Sequence, residues 1–200
     1  IESRYFGVLT KIFNVGRFAS QFDFDGDLEV VPEDLENEDK WILAEFSELL
    51  DKAKTGYTEM DIYTAAQGIK TFSTGIFASH WLEMAKTRLY NKDQAATWTL
   101  HRIFRDLMSI LAPICPFFTH HLSTTLYDKS AVDVDTFPES PMFDTKSWIN
   151  MTESLIDFNS AVWKAKKDAG VSLAAPISGH TVPEKLKDLE LALKGMHKLE

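Results

Sequence analysis

One cysteine, Cys115, is all that the 200 residues contain, so no disulfide can form within the chain and side-chain packing must carry the fold. It lies in Leu-Ala-Pro-Ile-Cys-Pro-Phe-Phe, without a second thiol or a neighbouring base, which reads as a core residue in a reducing cytoplasm. Long hydrophobic runs are missing as well. Every apolar stretch is broken within about ten residues, well short of the ~20 that a membrane helix needs, so a soluble domain with no membrane partner is expected. The chain has no Gly-x-x-x-x-Gly-Lys loop, no Gly-x-Gly-x-x-Gly turn and no Gly-x-Ser-x-Gly elbow, and no catalytic residue can be named. It opens at Ile1 with no methionine and no signal-peptide layout, which points to a piece cut from a longer protein, with Leu199-Glu200 as a cloning remnant.

Basic charge is also in short supply: 21 Lys and Arg stand against 30 Asp and Glu, a net charge of -9 that argues against a nucleic-acid partner. Its distribution softens that argument. Residues 21 to 39 hold nine acids and no base, and removing those nine leaves as many acids as the 21 bases. Local basic excess survives at residues 81 to 105 (Lys86, Arg88, Lys92, Arg102 and Arg105 against Glu83 and Asp93) and at Lys164, Lys166 and Lys167. An RNA contact is permitted.

What the chain does have is helical periodicity, with 44% hydrophobic residues and 12% aromatics. Ile42, Phe46, Leu49, Leu50 and Ala53 recur at helical spacing, as do Ile62, Ala65, Ile69, Phe72 and Ile76. Leu100, Ile103, Phe104, Leu107, Met108 and Leu111 form another such stripe, and Trp148, Met151, Leu155, Phe158 and Val162 a fourth. Breaks at Pro32, Gly56-Tyr57, Asn91-Lys92-Asp93 and Pro138 to Pro141 divide an all-α bundle into helices of roughly 18, 18, 30, 20, 13 and 25 residues. Gly68 and Gly75 inside the longest are expected to mark a kink or a close crossing, and Pro113 and Pro116 to split the next pair. Beyond Gly170, Val171-Ser172-Leu173 and Pro176-Ile177-Ser178 read as extended, followed by a short helix from Pro183. The expected division is a helical domain over 1–172 and, over 173–200, the incomplete start of a small α/β extension, truncated or docked on the bundle.

The first helix carries the most suggestive surface. At 100° steps, Tyr5, Phe6, Leu9, Ile12, Phe13 and Gly16 share one arc, and Arg4, Gly7, Lys11, Asn14 and Phe18 the opposite one, with Arg17 beside it. Cations hold phosphates, amides read base edges and aromatic faces stack on unpaired bases, so this stripe has the groups that bind a single-stranded loop. The bland alternative is a solvated face, with Arg17 favoured by the helix dipole and Phe18 folding back as a cap. Lys164, Lys166 and Lys167 form a second candidate phosphate patch, and their place in the last turns of a helix is equally explained by the dipole. Arg88, Arg102 and Arg105 read as ordinary bundle-surface residues. Metal chemistry is the weaker rival: His80 and Glu83 stand i, i+3 and His120-His121 are adjacent, but a di-metal bundle wants two Glu-x-x-His pairs. Asp23-Phe24-Asp25-Gly26-Asp27 has its glycine at the wrong place for a calcium loop and reads as a polar turn. No metal ligand is assigned.

Five segments carry a resemblance to a known family. Lys11-Ile12-Phe13-Asn14-Val15-Gly16-Arg17-Phe18 resembles the Lys-Leu-Trp-Asn-x-x-Arg-Phe helix that opens the anticodon-binding domain of valyl-tRNA synthetases, with Phe13 in place of the usual Trp. Asp39-Lys40-Trp41-Ile42-Leu43 is similar to the start of that domain's next helix in valyl and isoleucyl enzymes. His80 to Tyr90 resembles the Tyr-x-Glu-x-x-Lys-x-Arg-Leu-Tyr motif of the valyl branch. Leu111 to Thr119 resembles the Leu-Ala-Pro-x-x-Pro-Phe-x-Thr element shared across the class, with His120 where Glu is usual, and Trp163 to Leu173 resembles the basic helix end followed by Gly-x-Ser-Leu. The resemblance implies a parent enzyme that uses ATP and Mg2+ to join valine to its tRNA, with catalytic and editing domains absent from these residues. This chain's task would be to hold the anticodon stem-loop of that tRNA. Arg4, Lys11 and Arg17 would meet phosphates or base edges, Asn14 a base edge or a backbone group, and Phe18 a base face. Lys164, Lys166 and Lys167 would be further phosphate contacts. An isoleucyl- or leucyl-type domain, or a helical protein-interaction module, is the alternative.

Overall fold

The computed structural model describes residues 2–127, 136–141 and 145–200, with side chains from Phe6 onward. In order come α1 (Glu2–Ala19), α2 (Asn37–Thr58), α3 (Ile62–Lys70), a π-helical stretch (Thr71–Trp81), α4 (Leu82–Tyr90), α5 (Gln94–Leu111), α6 (Pro116–Tyr127), α7 (Lys146–Ile149), α8 (Thr152–Asp168), a 3-10 turn (Glu184–Leu189) and α9 (Glu190–His197). This is an all-α bundle. The longest expected helix is the continuous rod α3–π–α4, and the Pro113-Pro116 break separates α5 from α6 as its chemistry demands.

Local chemistry sets the helix ends. Asp39 Oδ2 accepts from the backbone N–H of Glu36 at 3.2 Å in a reciprocal capping box that starts α2. Asp61 and Asp93 cap α3 and α5 through the backbone N–H groups of Thr64 (3.1 Å) and Ala96 (2.9 Å). The connections after α2 and α4 turn through Met60 and Lys92, both left-handed with φ near 60°.

At the centre lies α5, which departs from expectation: it is buried almost all round rather than along one stripe. Trp98, Leu100, Ile103 and Phe104 are fully buried, and so nearly is Arg102, 5% exposed, which the periodicity placed on the surface. A buried guanidinium needs partners. Arg102 Nε donates to Asp106 at 2.7 Å, and its other nitrogens donate to Glu29 and to the carbonyls of Leu28 and Glu139. Arg105 pairs with Glu29 at 2.7 Å and with Asp106 at 2.8 Å. The acidic segment before α2 is thus bound across α5, and the local basic excess there is neutralised by Asp106 on α5 itself and by Glu29, 73 residues before Arg102.

The π-helical stretch runs from Thr71 to Trp81 with Gly75 inside it. Its wider turn sets Phe72 and Phe77 five residues apart in a stacked pair, 5.8 Å between centroids, continued by Phe46 on one side and Trp81 on the other. Gly68, by contrast, marks a close crossing, since a Cβ there would lie 3.1 Å from Leu49.

Residues 173 onward are docked on the bundle. Leu186, Leu189 and Leu193 enter the same core as α2, α4 and α8. The extended reading survives only as a bridge between Ile177 and Leu199; among the described residues no sheet forms. Cys115 sits half-buried at the edge of the core rather than inside it, and burial raises its thiol pKa.

Candidate nucleic-acid interface

Helix α1 lies close to the central helix because of one glycine. A Cβ at Gly16 would sit 2.9 Å from the ring tip of Phe104 and 3.4 Å from Leu122, so only glycine lets α1 pack this tightly against α5 and α6. Ile12, Val15 and Ala19 complete the buried stripe. The expected apolar arc holds from Leu9 onward, but Phe6 is 74% exposed and lies before the core begins.

On the outer side, Gly7, Thr10, Asn14 and Arg17 are exposed. Phe18 borders them, half-buried, with its ring 4.9 Å from Phe22 and 6.2 Å from Tyr90, both edge-on. It does not fold back alone as a cap; it belongs to a three-ring cluster spanning the ends of α1 and α4. Arg4 belongs to the first turn of α1, and its side chain lies outside the described residues.

Lys11 departs from the stripe. Its ammonium donates to the Thr74 carbonyl at 2.5 Å and to Ser79 Oγ at 2.9 Å, and Ser79 Oγ itself donates to Thr74 at 2.7 Å. Burial lowers the pKa of this ammonium. Lys11 therefore fastens α1 to the π-helical stretch, and a phosphate would have to displace two good hydrogen bonds to reach it.

The second patch divides. Lys164 and Lys167 are exposed, but Lys166 is fully buried, which corrects its reading as a phosphate contact. Its stem turns inward and its ammonium donates to the carbonyls of Leu173 and His197, each at 2.8 Å. Burial first, and then the charge of Lys198, lowers its pKa. Beside it, buried Asn159 links two imidazoles, His80 Nδ1 at 2.8 Å and His197 Nε2 at 2.7 Å. Burial pushes both histidines down to about 4, with Lys11 adding to the effect at His80 and Lys166 at His197. Trp163 stacks on His80 at 5.4 Å. The α1 and α8 patches thus border the π-helical stretch, Lys11 reaching Ser79 and Trp163 reaching His80.

Arg88 is structural. It donates to Glu38 at 3.0 Å and to Asp93 at 2.9 Å and pairs with buried Asp39 at 2.7 Å, joining the starts of α2 and α5 to the end of α4. Burial raises the Asp39 carboxyl to about 6, although the Arg88 guanidinium pulls the other way. Trp81 Nε1 donates to the same carboxylate at 3.2 Å. His80 and Glu83 do not converge: His80 turns to Asn159, while Glu83 pairs with Lys86 at 2.6 Å. His120 and His121 are exposed, and no three His, Cys, Asp or Glu residues meet among the described ones. Asp27 accepts from the backbone of Glu29 in a polar turn.

Reading α1 alone misses the other wall of this surface. Tyr90, 63% exposed, and Lys92 stand at the α4–α5 turn beside Phe18 and Phe22. An exposed tyrosine just before the helix-stopping Asn91-Lys92-Asp93 was the available signal.

A family model for the anticodon-binding domain of tRNA ligase matches residues 39–181. Among curated proteins, the chain is similar to the valine--tRNA ligase of Methanopyrus kandleri, 35% identical over 91% of this chain and 21% of that protein. The valine--tRNA ligase of Aeropyrum pernix is 32% identical over 94% of this chain and 24% of its own length, and that of Pyrobaculum aerophilum 31% over 96% and 24%. The chain spans less than a quarter of the length of these relatives.

Proposed function

The chain belongs to the family of tRNA-ligase anticodon-binding domains, and from that premise we propose that it recognises the anticodon stem-loop of a valine tRNA as the recognition domain of a valine–tRNA ligase. The observation that carries this reading is the outer edge of α1, where exposed Asn14 and Arg17 border the half-buried ring of Phe18. An amide, a guanidinium and an aromatic ring within two turns offer base-edge readout, phosphate neutralisation and stacking at one place. Arg4 would extend this edge toward the start of α1, and Lys164 and Lys167 would supply phosphate contacts from α8. Lys11 acts mainly by holding α1 in place. Activation of valine with ATP and Mg2+, transfer to the tRNA and editing belong to the remaining three quarters of such a cytoplasmic enzyme, whose catalytic and editing domains are the other partners. No described helix is long and apolar enough to cross a membrane.

The test is a salt-controlled titration of the chain with a valine-tRNA anticodon hairpin and with the same hairpin altered at the middle anticodon base. Tighter binding to the first, lost in Arg17→Ala and Phe18→Ala, is the expected result. Equal affinity for both hairpins would leave the chain with phosphate contacts only, and no binding at low salt would remove RNA recognition from it.

A further inference from the structure

A line of polar side chains runs from the C-terminal segment to α1. Asn159 on α8, fully buried, donates its amide N–H to His80 Nδ1 at 2.8 Å and accepts from His197 Nε2 at 2.7 Å. His197 Nδ1 has no hydrogen-bond partner, so Asn159 is the only group bonded to that ring among the described residues. Beside His80, Ser79 Oγ accepts from the Lys11 ammonium at 2.9 Å and donates to the Thr74 carbonyl at 2.7 Å, to which Lys11 also donates. A cleft of about 570 Å3 lies between Ala78 and Ser79 on one side and Gly195 and Met196 on the other, with Trp163 in its lining. The polar line therefore bridges two elements that do not close on each other there.

Both halves of this line grip the π-helical stretch, Lys11 at Thr74 and Ser79 and Asn159 at His80. A π-helical turn is a widened α turn, and the α form is its near competitor. Phe72, Phe77 and Trp81 pin one side of the stretch to the core, but Gly75 meets nothing within 4 Å of its Cβ position, so packing leaves the middle of the stretch room to shift. An element with two arrangements that is held from two sides couples those sides, because each bond favours the arrangement in which the other also forms. Here one side is residues 173–200, clasped through His197 and Lys166, and the other is the edge of α1 that carries Asn14, Arg17 and Phe18.

We propose that Asn159 is a positioning residue for RNA recognition: through His80, the π-helical stretch and Lys11, it makes the docking of residues 173–200 set the placement of α1. Neither Asn159 nor His197 touches RNA in this scheme. The inference rests on the reading of α1 as an anticodon-loop surface and adds a control of that surface by the C-terminal segment.

The test measures binding of the 200-residue chain to a valine-tRNA anticodon hairpin, at a temperature where circular dichroism shows each variant folded. Asn159→Leu, or His197→Phe if the first does not fold, should weaken binding roughly 2- to 30-fold. The slope of log affinity against log salt should stay as in the wild type, because no phosphate contact is lost. Asn159→Asp should bind nearly as the wild type does, since a carboxylate accepts from His197 Nε2 and also from His80 once that imidazole carries its proton on Nδ1. Combined with Lys11→Met, the relay variant should cost less than the product of the two separate losses, by about 2-fold or more. Wild-type affinity in a folded Asn159→Leu or His197→Phe chain, with Phe18→Ala still impaired, overturns the inference alone. So do losses that simply multiply with that of Lys11→Met, and an Asn159→Asp chain as weak as Asn159→Leu. A wild-type chain that binds no hairpin at low salt overturns it together with the reading it rests on.

Discussion

The four-carbon stem of lysine allows its ammonium to leave the face on which its Cα lies, and Lys11 and Lys166 both do so. Each charge ends on backbone carbonyls of another element. Arg17, with no ion pair or side-chain hydrogen bond recorded among the described residues, remains exposed. These residues should therefore part company in one experiment. Lys11→Met is expected to lower thermal stability while leaving the salt slope of hairpin binding unchanged, because no phosphate contact is lost. Arg17→Ala should leave the melting temperature nearly constant and reduce that slope by about one. Helical spacing sufficed to place Asn14 and Arg17 outward, since position on a helix decides exposure for short side chains and for chain-end cations. It could not place the ammonium of Lys166 or the guanidinium of Arg102, because beside a nearby partner each has others, His197 and Leu28, that lie 31 and 74 residues away, and pairing at such distances leaves no local period.

Elements meet through two features that the chain's periodicity announced only in part. One is Gly16, where α1 touches α5. Adding a methyl there forces the ring of buried Phe104 to move, and overpacking of about 1–3 kcal/mol outweighs a helix-propensity gain of about 1 kcal/mol. Gly7, with open space around its Cα, has only the gain. Gly16→Ala should thus lower the urea midpoint and Gly7→Ala raise it. The other is Arg88, which ties α4 to the starts of α2 and α5. Arg88→Met leaves Asp39 fully buried without its counter-charge, and a loss of about 3–5 kcal/mol is expected in equilibrium unfolding. The ends of α4 and α5 were legible because Asn91-Lys92-Asp93 and Pro113 mark them, whereas α2 runs through Gly56 and the expected 25-residue helix divides into α7 and α8. The π-helical stretch was not legible, because a scan at 3.6 residues per turn has no place for a wider period.

For the molecule as a whole, the buried histidines set the response to acid. His80 and His197 are pushed down to about 4 and His101 is also lowered by burial. Unfolded histidine takes a proton near 6.5, so these groups stabilise the fold fully above that pH, and their contribution is lost as pH falls from about 6.5 toward 4. Asp39 and Glu45, both raised by burial, act in the opposite direction, but they are two against three. The urea midpoint should therefore fall between pH 7 and pH 5; a flat profile would mean that the imidazoles are not held neutral. Because His197 and Lys166 clasp residues 173–200 to α8, amide exchange in that segment should accelerate first.

The wide turns of the π-helical stretch also bear on how this bundle tolerates change over time. An α-helix that loses one residue rotates everything beyond the deletion by about 100°. The same loss inside Thr71–Trp81 can be absorbed by tightening a wide turn toward α geometry, leaving Arg88 and Tyr90 facing their neighbours. The longest rod of the bundle thus carries its own slack, and single-residue length variation among descendants of this chain should accumulate there rather than in α5.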